Sequence, residues 1–159
     1  MTMQLIETIT VGSGGVSSIE FTGIAGEAKD LVLLLSLRNS FDSPSATLSF
    51  NTGSSYSRLR LLGTGPAASS DSATVDLQSN TSVSTANTFS NSSLHVSNYA
   101  SSTTKSYSVD SVNENNAALA NQAIIAGSWT GTAAITSLEL TPTSGDFVEH
   151  STASLYSIS

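Results

Sequence analysis

The chain has no cysteine, only three prolines and two histidines, and five basic residues in 159, and each scarcity closes a class of explanation. Without cysteine there is no disulfide framework and no thiolate metal site, and the compartment stays open, since such a chain suits the cytosol and the outside equally. The bases Lys29, Arg38, Arg58, Arg60 and Lys105 face twelve acids, for a formal charge of −7. The densest basic stretch is Arg58-Leu59-Arg60. Phosphate binding needs clustered cations, so nucleic acid is not an expected partner. The opening "MTMQLIETITV" lacks the basic and apolar regions of a secretory leader, so no signal is expected. The longest apolar run, residues 31–35, is far too short to span a bilayer, and no membrane is expected as a partner.

Charged residues make up only 11% of the chain, yet apolar residues reach 38% and recur in short runs, which separates this composition from a disordered one. The remainder is mainly Ser, Thr, Asn, Gly and Ala. A chain of this length buries roughly 70% of the surface its unfolded form exposes, so residues 1–159 are read as one domain.

Alternation of apolar and polar residues predicts strands. "SSIEFTG" sets Ile19 and Phe21 against Glu20 and Thr22, and "ATLSFN" sets Ala46, Leu48 and Phe50 against Thr47, Ser49 and Asn51. "DLVLLLSL" is apolar at both parities, which predicts either a central strand covered on both sides or one whose outer face meets another subunit; Leu33 and Leu35 are interface candidates on the second reading. Further strands are expected at 5–11, 56–62, 74–78, 89–96, 105–112, 122–129, 135–140 and 153–158. Turn-rich stretches such as "GSGG", "NTGSS", "GTGPAASSDS" and "TPTSGD" separate them. "NENNAALANQA" fits a loop, a single turn or a short helix. Short strands at this spacing predict an all-β fold, a single-domain antiparallel β-sandwich of jelly-roll type. At the end of the chain, "ITSLELTPTSGDFVEHSTASLYSIS" predicts a hairpin whose second strand closes the domain inside its sheet, with Leu155 or Tyr156 inward.

Reactive constellations are scarce. His95 in "SLHVSN" is opposite in parity to Leu94 and Val96 and is expected to face outward. His150 stands near Glu149 and Asp146, but their spacing matches no metal-ligand pattern, and a turn histidine is the expectation. Neither Asp71 with Asp76 nor Asp110 with Glu114 resembles a calcium loop. No Gly-x-Ser-x-Gly elbow is present, and "GSGG" is too short for a phosphate cradle. No catalytic, cofactor-binding or metal residue is therefore assigned, and no enzyme activity is expected. Trp129 ends the run "AIIAGSW" and is expected to cap the core. Tyr99, in the loop-like "SNYASS", is a candidate ligand contact for sugar stacking or else a packing residue.

Several segments in order, "LIETITVGSGGVSSIEFTGI", "DLVLLLSLRNS", "LSFNTGSSYSRLRLLGTG", "LHVSNYASSTTKSYSVDSVNENN" and "IIAGSWTGTAAITSLELTPTSGDFVEHSTASLYSI", resemble a family of β-sandwich virion proteins of tailed phages, marine and cyanobacterial ones especially. The resemblance covers nearly the whole chain and implies either a capsid decoration protein or a piece of a tail fibre. A single module without fibre repeats or heptads favours decoration. The implied role is a cement protein on the outer surface of the head, made in the host cytoplasm. It would contact the major capsid protein as a homo-oligomer, a trimer, with no cofactor. The alternative is a receptor-binding module recognising host glycan. Arg38, Arg58 and Arg60 are the candidates for meeting an acidic partner surface, because arginine pairs bidentately with carboxylates; solvated outward positions are their other reading.

Overall fold

Period-two patterning becomes two stacked sheets. The computed structural model describes residues 2–53, 55–73, 75–116 and 119–159, and among them there are twelve strands and no helix. In chain order these are β1 (Met3–Thr10), β2 (Ile19–Phe21), β3 (Asp30–Ser36), β4 (Ser45–Phe50), β5 (Tyr56–Thr64) and β6 (Ala68–Asp71), followed by β7 (Leu77–Gln78), β8 (Asn91–Val96), β9 (Lys105–Glu114), β10 (Ala120–Trp129), β11 (Leu138–Pro142) and β12 (Thr152–Ile158). Eight form one sheet in the order β1-β12-β3-β8-β9-β10-β5-β6, and four form the other in the order β2-β11-β4-β7. All pairings between the strands are antiparallel. The first five strands alternate between the sheets, and the chain crosses again on entering and leaving β7 and β11. The protein is an all-β, jelly-roll-like antiparallel sandwich.

The core lies between the sheets. Leu31, Leu33 and Leu35 of β3, with Leu94, Val109 and Ile125 of the large sheet, are buried by inward side chains of the small sheet, among them Ile19, Phe21, Leu48, Phe50, Leu138 and Leu140. Each such side chain stabilises the fold by about 1.5–3 kcal/mol relative to exposure. One end of the core is aromatic. The Phe50 ring meets Tyr107 edge-on at 5.7 Å and Trp129 at 5.8 Å. A side chain at Gly127 would fall 2.0 Å from the Tyr107 ring, and one at Gly131 would fall 2.1 Å from Trp129, so both aromatics lie flat only because glycine is beneath them. Trp129 is 4% exposed and caps the core as expected.

Four expectations are corrected or completed. First, β11 and β12 do not form a hairpin: β11 pairs with β2 and β4, whereas β12 crosses to the other sheet and inserts between β1 and β3. The loop between them carries Phe147, wholly buried, whose main chain pairs with Val16, and this redirects the chain across the core. Second, the strand β6 lies in "GTGPAASSDS", where only turn residues were evident; it is held by its ladder to β5 and by a cross-strand Arg60–Asp71 pair. Third, among the described residues of "NENNAALANQA" there is no helix: β9 continues to Glu114 and β10 begins at Ala120, with 117 and 118 outside the described residues. The expected strand at 74–78 shortens to Leu77–Gln78, and its residue 74 is likewise outside the described residues.

Fourth, Leu33 and Leu35 are not interface residues. They are 0% and 4% exposed in the core of this chain, and it is Val32 and Leu34 that point out of the sheet. The double apolarity of this strand is thus only half satisfied within the chain, since Leu34 remains 42% exposed.

Candidate functional site

The three candidate arginines are all engaged within the chain. Arg38 follows β3 and donates from Nη1 to the carbonyls of Thr85 (2.7 Å) and Thr88 (3.0 Å), and from Nη2 to that of Ser84 (3.3 Å). It clamps the 81–90 loop from one side. Glu114 clamps it from the other: its carboxylate accepts from the Thr85 amide (2.7 Å), the Thr88 hydroxyl (2.7 Å) and the Asn116 amide (2.6 Å). The Thr88 hydroxyl bond, joined by those from Asn116 and Thr85, outweighs the opposing effect of desolvation and holds the Glu114 carboxyl below its ordinary range. A depressed carboxylate stabilises the loop above its unfolded-state pKa and loses that contribution as pH falls through the lower folded value. Hydrogen-exchange protection of the Thr85 and Asn116 amides should therefore fall between about pH 5 and pH 3 in the parent chain, and the step should be absent from Glu114→Gln. Protection that is flat across this range in a chain still folded excludes the clamp.

Arg58 and Arg60 occupy the inward parity of β5, which reverses the expectation that they point away from the core. Arg58 Nε lies 2.5 Å from Asp76 Oδ1, with side chains 12% and 0% exposed, and its guanidinium stacks 4.1 Å from the Tyr56 ring centroid. Asp76 also accepts from the Tyr107 hydroxyl (2.7 Å) and the Leu48 amide (2.9 Å). Burial pulls the Arg58 pKa down, but its hydrogen bond to Asp76 and the charge of that carboxylate outweigh this and raise it. Burial, reinforced by Asp76, pushes the Tyr107 hydroxyl up, and burial likewise raises Tyr56. The cluster is therefore a buried carboxyl–guanidinium pair with two phenols around it whose raised pKa keeps them neutral. Arg60 makes a bidentate pair with Asp71 at 3.1 and 2.6 Å.

Lys105 is also internal. Its ammonium donates to the carbonyls of Ser101 (2.7 Å), Thr132 (3.3 Å) and Ala133 (2.6 Å) and lies 5.4 Å from the Trp129 ring centroid, and desolvation lowers its pKa. Tyr99 is wholly buried, with its hydroxyl donating to the Ala25 carbonyl, so it cannot stack on a sugar. The neighbouring Asn98 takes the left-handed conformation (φ 50°) and turns the tyrosine inward.

His95 faces outward and His150 sits in a turn, as their sequence contexts predict. His150 is an exposed turn residue at φ 73°, and among the described residues no group of histidine and acidic side chains is placed to hold a metal ion. His95 projects outward from β8, with Nε2 3.5 Å from Asp30 Oδ2. Ser93 and Ser108 flank it, but among the described residues no hydrogen bond joins a serine to this imidazole, so the arrangement has an oriented base without a coupled nucleophile.

What does converge is apolar surface. The ladders place Leu5, Tyr156 and Val32 side by side on the outer face of the large sheet, next to Leu34. Beyond a polar strip of Ser93, His95, Ser108 and Asp110, the same face presents Leu59, Leu61, Ile124 and Ala126, which line a shallow depression. Leu59, Leu61 and Ile124 are 66%, 60% and 49% exposed. The outer face of the small sheet is unlike it: Glu20 lies opposite Glu139, flanked by Ser49, with Thr47 opposite Thr141. Sequence reasoning missed Leu59 and Leu61 because "RLRL" offers two parities, and the charged one was assigned to the surface. A signal was present in the acids: Asp71 and Asp76 can neutralise arginines on the inward side. No protein-family model matches this chain, and no curated protein and no solved structure matches it.

Proposed function

We propose that this chain is a structural virion protein, a decoration or cement protein on the outside of a tailed-phage head that bridges capsid subunits as a small homo-oligomer, a trimer. The observation that carries the reading is the contrast between the two faces of the sandwich: one acidic and hydroxylated, suited to water, the other apolar and suited to protein contact. An oligomeric staple needs a rigid body with an apolar face on which its own copies can meet. The internal pairing of Arg38, Arg58, Arg60 and Lys105 supplies rigidity without disulfides, and the polar face limits adhesion between particles. The likeness of segment order to phage β-sandwich virion proteins adds the setting. The glycan-binding alternative loses its candidate contact with the burial of Tyr99.

The test is quantitative mass spectrometry of purified particles, counting this chain against the major capsid protein. Decoration predicts a copy number equal to that of the capsid protein or a simple fraction of it. A handful of copies per particle moves the protein to the tail, and absence from particles removes the virion reading.

A further inference from the structure

We infer that the outer face of the eight-stranded sheet is a self-association surface, occupied by a second copy of this chain with Leu59, Leu61, Ile124 and Ala126 at the heart of the contact. The inference deepens the decoration reading and rests on it only for the biological setting.

Size is the first argument. Eight strands about 4.8 Å apart, with outward residues repeating every ~7 Å and up to four of them on a strand, present a face of at most roughly 700 Å². A stable complex takes about 800 Å² from each partner, close to a tenth of the 7620 Å² accessible to this chain. The face alone thus approaches the required extent, and the most exposed leucines lie within it.

Charge selects the occupant. Copies of a chain carrying −7 repel one another wherever their acids meet. Among the described residues the only acid on the two central rows of this face is Asp110, which already accepts from Gln122 Nε2 at 3.2 Å, and Asp71 at the rim of the depression is paired with Arg60. Asp30, on the next row, accepts from the Asn98 amide at 2.9 Å and lies beside His95. Two copies can therefore approach here with little electrostatic cost. They have no charge-matched route elsewhere, because four of the five cations are spent inside the chain, on Asp71, Asp76 and main-chain carbonyls. A basic partner would instead be drawn to the Glu20–Glu139 face, and an acidic one finds no cationic surface here.

Sedimentation velocity of the purified chain over a concentration series tests this. The parent should be oligomeric at micromolar concentration, and the association should survive high salt, since it rests on apolar burial. Leu61→Thr and Ile124→Thr keep strand propensity at exposed positions, so melting should be unchanged while each weakens association at least ~10-fold. Glu20→Gln, on the opposite face, should leave it intact. A parent that stays monomeric to about 100 µM overturns the inference, as does an oligomer indifferent to the double variant. If the threonine variants melt early, Leu59→Lys at the most exposed position gives the same reading. A monomer abundant on particles would sink this inference and the trimer with it, and leave a decoration protein standing; a Leu61-dependent oligomer absent from particles would sink decoration and leave this inference standing.

Discussion

A chain lacking residues 154–159 should not fold. This segment is the greater part of β12, which is no appendage: it pairs with β1 from Met3 to Thr8 on one side and with β3 from Asp30 to Leu34 on the other. Removing it exposes an inner edge of β3, detaches β1 from the sheet, and takes Leu155, fully buried, out of the core. Loss of Leu155 packing alone costs about 2–5 kcal/mol, and the two abandoned ladders leave main-chain groups unpaired beside apolar side chains. Against a total stability of about 5–15 kcal/mol, the sum is enough to unfold the domain. The exposed apolar edge of β3 should then recruit other chains. The expected readout is insolubility, or a soluble species without a cooperative thermal transition. A truncated chain that melts cooperatively within ~3 °C of the parent would show that β12 is dispensable.

The second large effect is expected from Asp76→Ala. Asp76 is the acceptor for the Arg58 guanidinium, the Tyr107 hydroxyl and the Leu48 amide at once, so its removal strands three donors and one charge at the aromatic end of the core. Breaking a buried pair from one side costs about 3–5 kcal/mol, which for a chain of this size lowers the melting temperature by about 10 °C or more. Arg58→Met alone should cost less than Asp76→Ala, because the carboxylate keeps two donors. The double variant should be more stable than Asp76→Ala, since the uncompensated cation is gone. Thermal melts of the two single variants and the double variant form a cycle that separates the pair from its surroundings. If Asp76→Ala melts within 2 °C of the parent, Arg58 reaches solvent without cost and the ion pair is incidental.

The division between the readable and the unreadable follows from the range of the forces. Alternation such as Ile19/Phe21 against Glu20, or Leu94/Val96 against His95, is local: the two faces of a strand are set by the geometry of the chain, so the strands and their inward residues were legible. The burial of Leu33 and the outward turn of Leu34 were not, because in "LVLLL" both parities satisfy the pattern and only the stacking of a second sheet chooses between them. The arginines of β5 carry the same lesson with the sign reversed. A strand reading Arg58-Leu59-Arg60-Leu61 puts its charges outward by default, and only Asp76, buried just before β7, and Asp71 on the neighbouring β6 make the inward side the favourable one for them. Tyr99 was undecidable for a related reason: its burial depends on the Ala25 carbonyl, 74 residues away.

By itself the sequence determined an all-β sandwich, the identity of nearly every strand, the capping role of Trp129 and the absence of a recognisable reactive motif. These depend on period-two geometry and side-chain chemistry, which act between neighbours. Only the tertiary structure decided that β11 and β12 part company into different sheets, that the cations turn inward, and that Leu59, Leu61 and Ile124 are left on an uncovered face. Each of those outcomes depends on contacts between segments far apart in the chain, where desolvation of a charge or an apolar side chain is weighed against partners that no local pattern reveals.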